Sequence, residues 1–223
     1  MAKNASKPRS GMSDVLVISS EHDEVTRTLD YYARCYVRDA RSLRTFHLRG
    51  ERPPRIHEVL RANRDAAMFL FLHGRLAPAG VVVGHREEEV IGKRTADLLR
   101  SRVICGTCYS LNGFADMAVA RGGTVIGYDG EMFVPTKQRR AREMMEAALA
   151  AHHALKANET AGRAAESARD AYRNLADVWY NTQTIEGQVH AAVANANADA
   201  VGFKGAANTR MNKGNRSHVR TKK

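Results

Sequence analysis

A cysteine and a histidine, each directly after a short apolar segment, are the residues of this sequence best suited to chemistry. His73 follows residues 67–72, AMFLFL, and Cys108 follows residues 103–107, VICGT. A thiol beside an imidazole makes a nucleophile and its general base, because the imidazole stabilises the thiolate. The backbone N–H groups of Gly74 and of Cys108 itself are candidates for the oxyanion hole of such a site. The alternative is that Cys108 is a small apolar residue of the core.

Cys105 lies three residues before Cys108, and this CxxC motif allows two further interpretations, a redox pair and a zinc site. A redox pair would begin a helix after a strand, whereas Cys105 falls inside the apolar segment itself. A zinc site needs two more ligands at suitable spacing, and Cys35 stands alone. The adjacent His152 and His153 are expected to be solvated or to cap their helix rather than to bind a metal. We therefore expect neither a metal ion nor an organic cofactor.

The segments that would position these residues alternate between strands and helices, which predicts an α/β fold with a mostly parallel sheet. Short, continuously apolar runs indicate strands buried on both faces, and they cover residues 15–18, 67–72, 103–107 and 124–127. Helical periodicity alone continues after residue 135, over residues 137–157, 160–180 and 184–200. Residues that follow parallel strands gather at one edge of the sheet. We therefore expect His73 and Cys108 to lie on adjacent strands and to meet at that edge.

Acidic residues follow two further strands of the predicted sheet. Glu21 and Asp23 come after the first strand, and Asp129 and Glu131 come after the last one. Carboxylates at the edge that carries the nucleophile would suit a substrate with arginine or lysine before the scissile bond. All four are therefore candidate pocket residues. The alternatives are that Asp23 caps the following helix and that Asp129 belongs only to a turn.

The motifs around these residues resemble those of caspase-like cysteine peptidases. MFLFLHG, followed by VICGTCYS and then by RGGTVIGYDGEMF, is most similar to the CHAT branch of the caspase–gingipain group, with its separase-like members. The resemblance covers roughly residues 12–180. It implies a three-layer caspase-like domain with a helical C-terminal extension. In that domain Cys108 would be the nucleophile and His73 the general base and acid.

The same resemblance implies a cysteine endopeptidase that cleaves a protein substrate under the control of a partner protein, as in bacterial defence systems. Two positions depart from the family pattern. Leu72 stands where CHAT members often have a second glycine, and Gly106 stands where related metacaspases have an acidic pocket residue. The preference for the residue before the cut is therefore open. The alternative function is a catalytically inactive caspase-like binding or scaffold protein whose basic tails contact nucleic acid or an acidic partner.

The net charge of +11 is concentrated at the two ends of the chain. Residues 1–11 carry +3 and residues 203–223 carry +7, which leaves +1 for residues 12–202. A nucleic-acid-binding domain usually carries its basic patch on the folded body, so nucleic acid is expected to contact the tails only. Basic tails rich in polar residues are typically disordered. We therefore expect one domain, residues 12–202, between two disordered tails.

The sequence also gives expectations about where the protein works. No segment approaches the ~20 apolar residues of a membrane-spanning helix. The N-terminus lacks the apolar core of a secretory signal. Three cysteines are too few for a disulfide framework. A cytoplasmic protein without membrane association is expected.

Overall fold

The computed structural model describes residues 14–75, 81–83, 88–99, 101 and 103–211. The strands in these ranges are β1 (Asp14–Ser19), β2 (Arg44–Arg49), β3 (Ala67–Phe71), β4 (His73–Arg75), β5 (Val81–Val83), β6 (Glu89–Ile91), β7 (Val103–Cys105), β8 (Thr124–Tyr128) and β9 (Val201–Lys204). The α-helices are α1 (Glu24–Asp39), α2 (Pro53–Ala62), α3 (Phe114–Val119), α4 (Gln138–Lys156), α5 (Ala161–Tyr180) and α6 (Ile185–Ala200), and a short 3₁₀ helix covers Lys93–Leu98. None of these helices is long and apolar enough to cross a membrane.

The central sheet has six strands in the order β2-β1-β3-β7-β8-β9. The first five of these strands pair in parallel, and β9 runs antiparallel to β8. Helices cover both faces of the sheet. The predicted fold class is therefore confirmed: this is an α/β fold with a mostly parallel central sheet, consistent with a three-layer caspase-like domain. The three helices predicted after residue 137 are also confirmed, as α4, α5 and α6.

Alternate side chains of the central strands enter two separate cores, one on each face of the sheet. In β1, Val15 and Val17 pack with α1, α4, α5 and α6, whereas Leu16 and Ile18 pack with α2 and α3. All four side chains are buried completely. A strand covered on both faces needs an apolar residue at every position. This requirement explains why the central strands appear in the sequence as continuous apolar runs.

His73, the predicted histidine, belongs to a small second sheet that is separate from the central sheet. Strand β3 ends at Phe71, and β4 begins with His73 after the buried Leu72. Strands β4, β5 and β6 form an antiparallel sheet in which His73 pairs with Val83. The backbone of His73 is therefore fixed by strand pairing at the carboxyl edge of β3.

The prediction of a disordered C-terminal tail from residue 203 is wrong for residues 203–211. Strand β9 reaches Lys204, and the following turn is hydrogen-bonded to α5, where the Ala161 N–H donates to the Thr209 carbonyl at 2.8 Å. Met211 is buried against the core. Because backbone hydrogen bonds hold this segment in place, the fold does not require apolar residues at regular spacing there, and its sequence shows little apolar periodicity. Residues 1–11 and residues 212–223 lie outside the described residues.

The expectation that His152 is solvated is also wrong, because α4 turns this side chain toward the sheet. Its ring stacks on Phe71 with centroids 5.0 Å apart and meets the edge of Phe69 at 4.8 Å. Burial lowers the pKa of His152 to about 3. The ring is therefore neutral at physiological pH and serves as an aromatic residue of the core.

Candidate active site

The ends of β3 and β7 place His73 and Cys108 at one edge of the central sheet. The two strands are parallel neighbours, with Phe69 opposite Cys105. Along the chain, His73 comes four residues after Phe69, and Cys108 comes three residues after Cys105. The prediction that the strands before His73 and Cys108 are parallel neighbours is confirmed, whereas His73 itself begins β4 of the second sheet. Cys105 is buried in the core, as expected for a packing residue.

The backbones that carry the two residues touch at Gly74. A Cβ atom at this position would lie 1.8 Å from the carbonyl oxygen of Cys108 and 2.9 Å from Oγ1 of Thr107. Real Cβ atoms do not approach other atoms this closely, so the contact requires glycine. The His-Gly sequence is therefore packed directly on the cysteine loop.

Backbone N–H groups surround the thiol of Cys108. The Met132 N–H donates to Sγ at 3.2 Å. Burial raises the pKa of the thiol, whereas hydrogen bonds from the N–H groups of Met132, Cys108 and Gly74 lower it. The two predicted oxyanion donors, the N–H groups of Gly74 and Cys108, thus lie close enough to the thiol to lower its pKa. Such donors also stabilise a negative charge that develops beside the sulfur.

The imidazole of His73 is held by Asp23, which lies at the start of α1. His73 Nε2 donates to Asp23 Oδ2 at 2.6 Å. The other carboxylate oxygen, Oδ1, accepts the N–H of Thr26 at 2.7 Å and caps the helix. The helix-cap alternative for Asp23 is therefore confirmed, and its second oxygen faces the imidazole rather than a substrate pocket. Because a carboxylate only accepts, Nε2 carries the hydrogen and Nδ1 keeps a lone pair.

The charge of Asp23 is stabilised by these contacts. Partial burial acts to raise its pKa, but the hydrogen bonds from the Thr26 backbone, from His73 and from the Thr26 hydroxyl lower it to about 2. The carboxylate is therefore ionised at any pH at which the protein would work. A fixed anion beside Nε2 favours the protonated imidazole that a general base becomes.

Two of the other predicted pocket residues have different surroundings. Glu21 forms an ion pair with Arg49, which also pairs with the buried Asp30. Asp129 has an exposed side chain, and its backbone carbonyl accepts a hydrogen bond from Asn112 Nδ2 at 2.7 Å. Neither Glu21 nor Asp129 is among the groups that shift the pKa of the Cys108 thiol, whereas Glu131 is one of them.

Glu131 is the predicted pocket residue that the fold brings to the thiol. Burial and the nearby negative charge of Glu131 both raise the pKa of Cys108 and the pKa of Tyr109. Tyr109 directly follows Cys108 and has a φ of 53°, a left-handed conformation that is uncommon for a residue other than glycine. Strained backbone of this kind concentrates at functional sites.

Two residues of this region were missed by the sequence analysis. His22 Nε2 lies 3.3 Å from Asp23 Oδ2, and its ring meets that of His73 with centroids 5.6 Å apart. Asn197 of α6 binds both backbone groups of Phe133, accepting its N–H at 2.8 Å and donating to its carbonyl at 2.9 Å. The only sequence signal for His22 was its place after a strand, and Asn197 gave none.

Replacing Asp23 with serine should separate its two roles. Serine is an equally good N-cap but is too short to reach His73, so we expect a nearly unchanged melting temperature. If the site cleaves a substrate as the motifs predict, kcat should fall roughly 10²-fold while KM stays the same, because the imidazole loses its orientation. Asp23→Ala should show the same kcat and in addition lose about 1 kcal/mol of the free energy of unfolding. A serine variant with full kcat would show that Asp23 only caps the helix.

Comparison with known proteins finds no matching family model and no matching curated protein. The resemblance of the motifs to the CHAT branch therefore stays a prediction. The functional interpretation of this site rests on the geometry of His73, Gly74 and Cys108 and on the contacts of Asp23.

Proposed function

We propose that this protein is a cysteine endopeptidase with Cys108 as nucleophile and His73 as general base and acid. The observation that carries the proposal is the packing of Gly74 on the Cys108 backbone. This packing sets the strand that carries His73 against the loop that carries Cys108, and it brings the N–H groups of Gly74 and Cys108 close enough to the thiol to lower its pKa. A cysteine that served only as core filler would not need this contact between its backbone and the strand that carries His73.

The reaction follows from these positions. The thiol of Cys108 gives its proton to Nδ1 of His73, and Asp23 at Nε2 stabilises the resulting imidazolium. The thiolate attacks the carbonyl carbon of the substrate, and the oxyanion accepts hydrogen bonds from the N–H groups of Gly74 and Cys108. The imidazolium then protonates the leaving amine, and water hydrolyses the acyl-enzyme with His73 again as base. No step requires a metal ion or an organic cofactor.

The resting structure is consistent with an enzyme that needs activation. The thiol hydrogen-bonds with the Met132 backbone and the imidazole with Asp23, so proton transfer requires the two groups to approach each other. Catalytic hydrogen bonds often tighten only when substrate binds. Burial also raises the pKa of the Cys108 thiol, which keeps it protonated. A substrate or a partner protein would supply the closure, as the family resemblance implies for bacterial defence systems.

The carboxylate of Glu131 defines the expected substrate class. It is exposed and acts electrostatically on the thiol, so it lies where it can contact a side chain next to the scissile bond. We propose a preference for lysine or arginine before the cut. The three cysteines are free thiols, which suits a reducing compartment such as the cytoplasm.

Labelling with peptide electrophiles tests this function. Acyloxymethyl ketones with arginine, aspartate or leucine next to the reactive group should modify one cysteine, identified by mass spectrometry as Cys108. We expect the arginine reagent to react at least about 10-fold faster than the aspartate reagent, and Glu131→Gln to remove this preference. Cys35 and Cys105 are buried and serve as internal controls. Equally slow labelling of all three thiols would favour the alternative, a binding protein with an inactive caspase-like fold.

A further inference from the structure

The side chains of His22, Asp23 and His73 form a compact cluster beside the proposed base. His73 Nε2 lies 2.6 Å from Asp23 Oδ2, and His22 Nε2 lies 3.3 Å from the same oxygen. One nitrogen of each histidine and one carboxylate oxygen all lie within 4.8 Å of one another. Two imidazoles and a carboxylate are a ligand set that binds zinc in proteins and leaves a fourth position open.

We propose that these three side chains form a zinc site that switches off His73 as a general base. The inference rests on the proposed function, because it assigns the regulation of that same site. A tetrahedral zinc ion with bonds of about 2.0–2.2 Å places neighbouring ligand atoms roughly 3.3 Å apart. His22 and Asp23 already have this spacing. The hydrogen bond between His73 and Asp23 needs to open by only roughly 0.7 Å.

Two further contacts orient the ligands for this role. Nδ1 of His22 lies 3.1 Å from the hydroxyl of the buried Ser20. A hydrogen bond at the second ring nitrogen is what commonly orients a zinc-binding histidine, and here it leaves Nε2 facing Asp23. At Asp23, Oδ1 accepts the N–H of Thr26, while Oδ2 faces both imidazoles. The three ligand atoms thus lie within 4.8 Å of one another before any metal binds.

Zinc at Nε2 would stop the proposed reaction at its first step. The metal takes the lone pair of Nε2, and the hydrogen that Nε2 carried is exchanged through solvent for one on Nδ1. A neutral imidazole in this state has no lone pair left to accept the proton of the Cys108 thiol. The thiol stays protonated, so the nucleophile is not formed.

Cobalt titration of the full-length Cys108→Ala variant tests the site independently of cleavage. Tetrahedral Co²⁺ absorbs visible light, and we expect one Co²⁺ per chain, displaced by Zn²⁺. Adding His22→Gln should weaken Co²⁺ binding at least about 10-fold. His190→Gln is the matched control, because His190 packs on Trp179 of another helix, and it should leave the affinity unchanged. A missing visible band, or an affinity that His22→Gln does not change, would overturn the proposal.

Cleavage assays on the protein with Cys108 intact complete the test. Zinc at concentrations that occupy the site should inhibit cleavage, and His22→Gln should require at least about 10-fold more zinc for the same inhibition. If Co²⁺ binds through His22 but no substrate is cleaved, the metal site stands and the proposed function fails. If substrate is cleaved at the same rate with the site saturated by zinc, the switch is wrong although the peptidase is right.

Discussion

Replacing Cys108 or His73 with alanine should reduce cleavage of a true substrate by about 10³-fold or more, while the melting temperature changes little. In the proposed reaction the thiol forms the new bond and the imidazole moves its proton, so each group is needed in the same transition state. The double variant should be no slower than either single variant, because residues that act as one unit lose their effect together. Initial rates with a fluorogenic peptide that carries arginine before the cut provide the measurement.

Cys35→Ala is the control for this result, since it removes a buried thiol from α1 at a distance from the site. It should retain cleavage within about twofold. If Cys108→Ala still cleaves the peptide, Cys108 is not the nucleophile, and residual cleavage by His73→Ala at the unaltered rate would remove the imidazole from the mechanism.

Gly74→Ala should inactivate the site as completely as loss of the thiol, although it removes no reactive group. The added Cβ would lie 1.8 Å from the carbonyl oxygen of Cys108, which is backbone and cannot rotate away. The strand and the thiol loop must therefore separate, and the overpacking should lower the free energy of unfolding by about 1–3 kcal/mol. We expect labelling of Cys108 by the arginine reagent to fall by about 10²-fold or more.

Gly130→Ala is the matched control, because a Cβ there meets no atom within 4 Å, and Gly130 lies in the turn that precedes Glu131. Its labelling rate should stay within about twofold of the unaltered protein. Full reactivity of Gly74→Ala, checked by mass spectrometry on the same sample, would show that the contact between the two loops has no part in the chemistry.

The sequence was sufficient to predict four strands of the central sheet, β1, β3, β7 and β8, and the edge at which the candidate site lies. Residues 67–72 and residues 103–105 are apolar at every position, a pattern typical of strands that are buried on both faces. The residues that follow two parallel strands of one sheet lie at the same edge, so the placement of His73 and Cys108 could be derived. The fold class followed from the same alternation of strands and helices.

The remaining features depend on contacts between distant residues that leave no local pattern. The partner of His73 is Asp23, 50 residues earlier, and a helix cap and a histidine partner look the same in sequence. Strand β9 is held by backbone hydrogen bonds, which any side chain permits. His152 lies beside His153 in sequence, but the rotation of α4 turns His152 into the aromatic core.

The hydrogen bonds between Asn197 and Phe133 can form only late in the synthesis of the chain, after the thiol loop has been made. Phe133 follows Met132, whose N–H donates to the Cys108 thiol. Asn197, which hydrogen-bonds with Phe133, is added to the chain 64 residues after it. At about 5–20 residues per second, the ribosome needs roughly 3–13 s to add those residues. During this interval the nascent chain carries the thiol loop without the helix that fixes it. The ribosome and neighbouring nascent chains therefore meet the complete candidate site only after α6 has been synthesised.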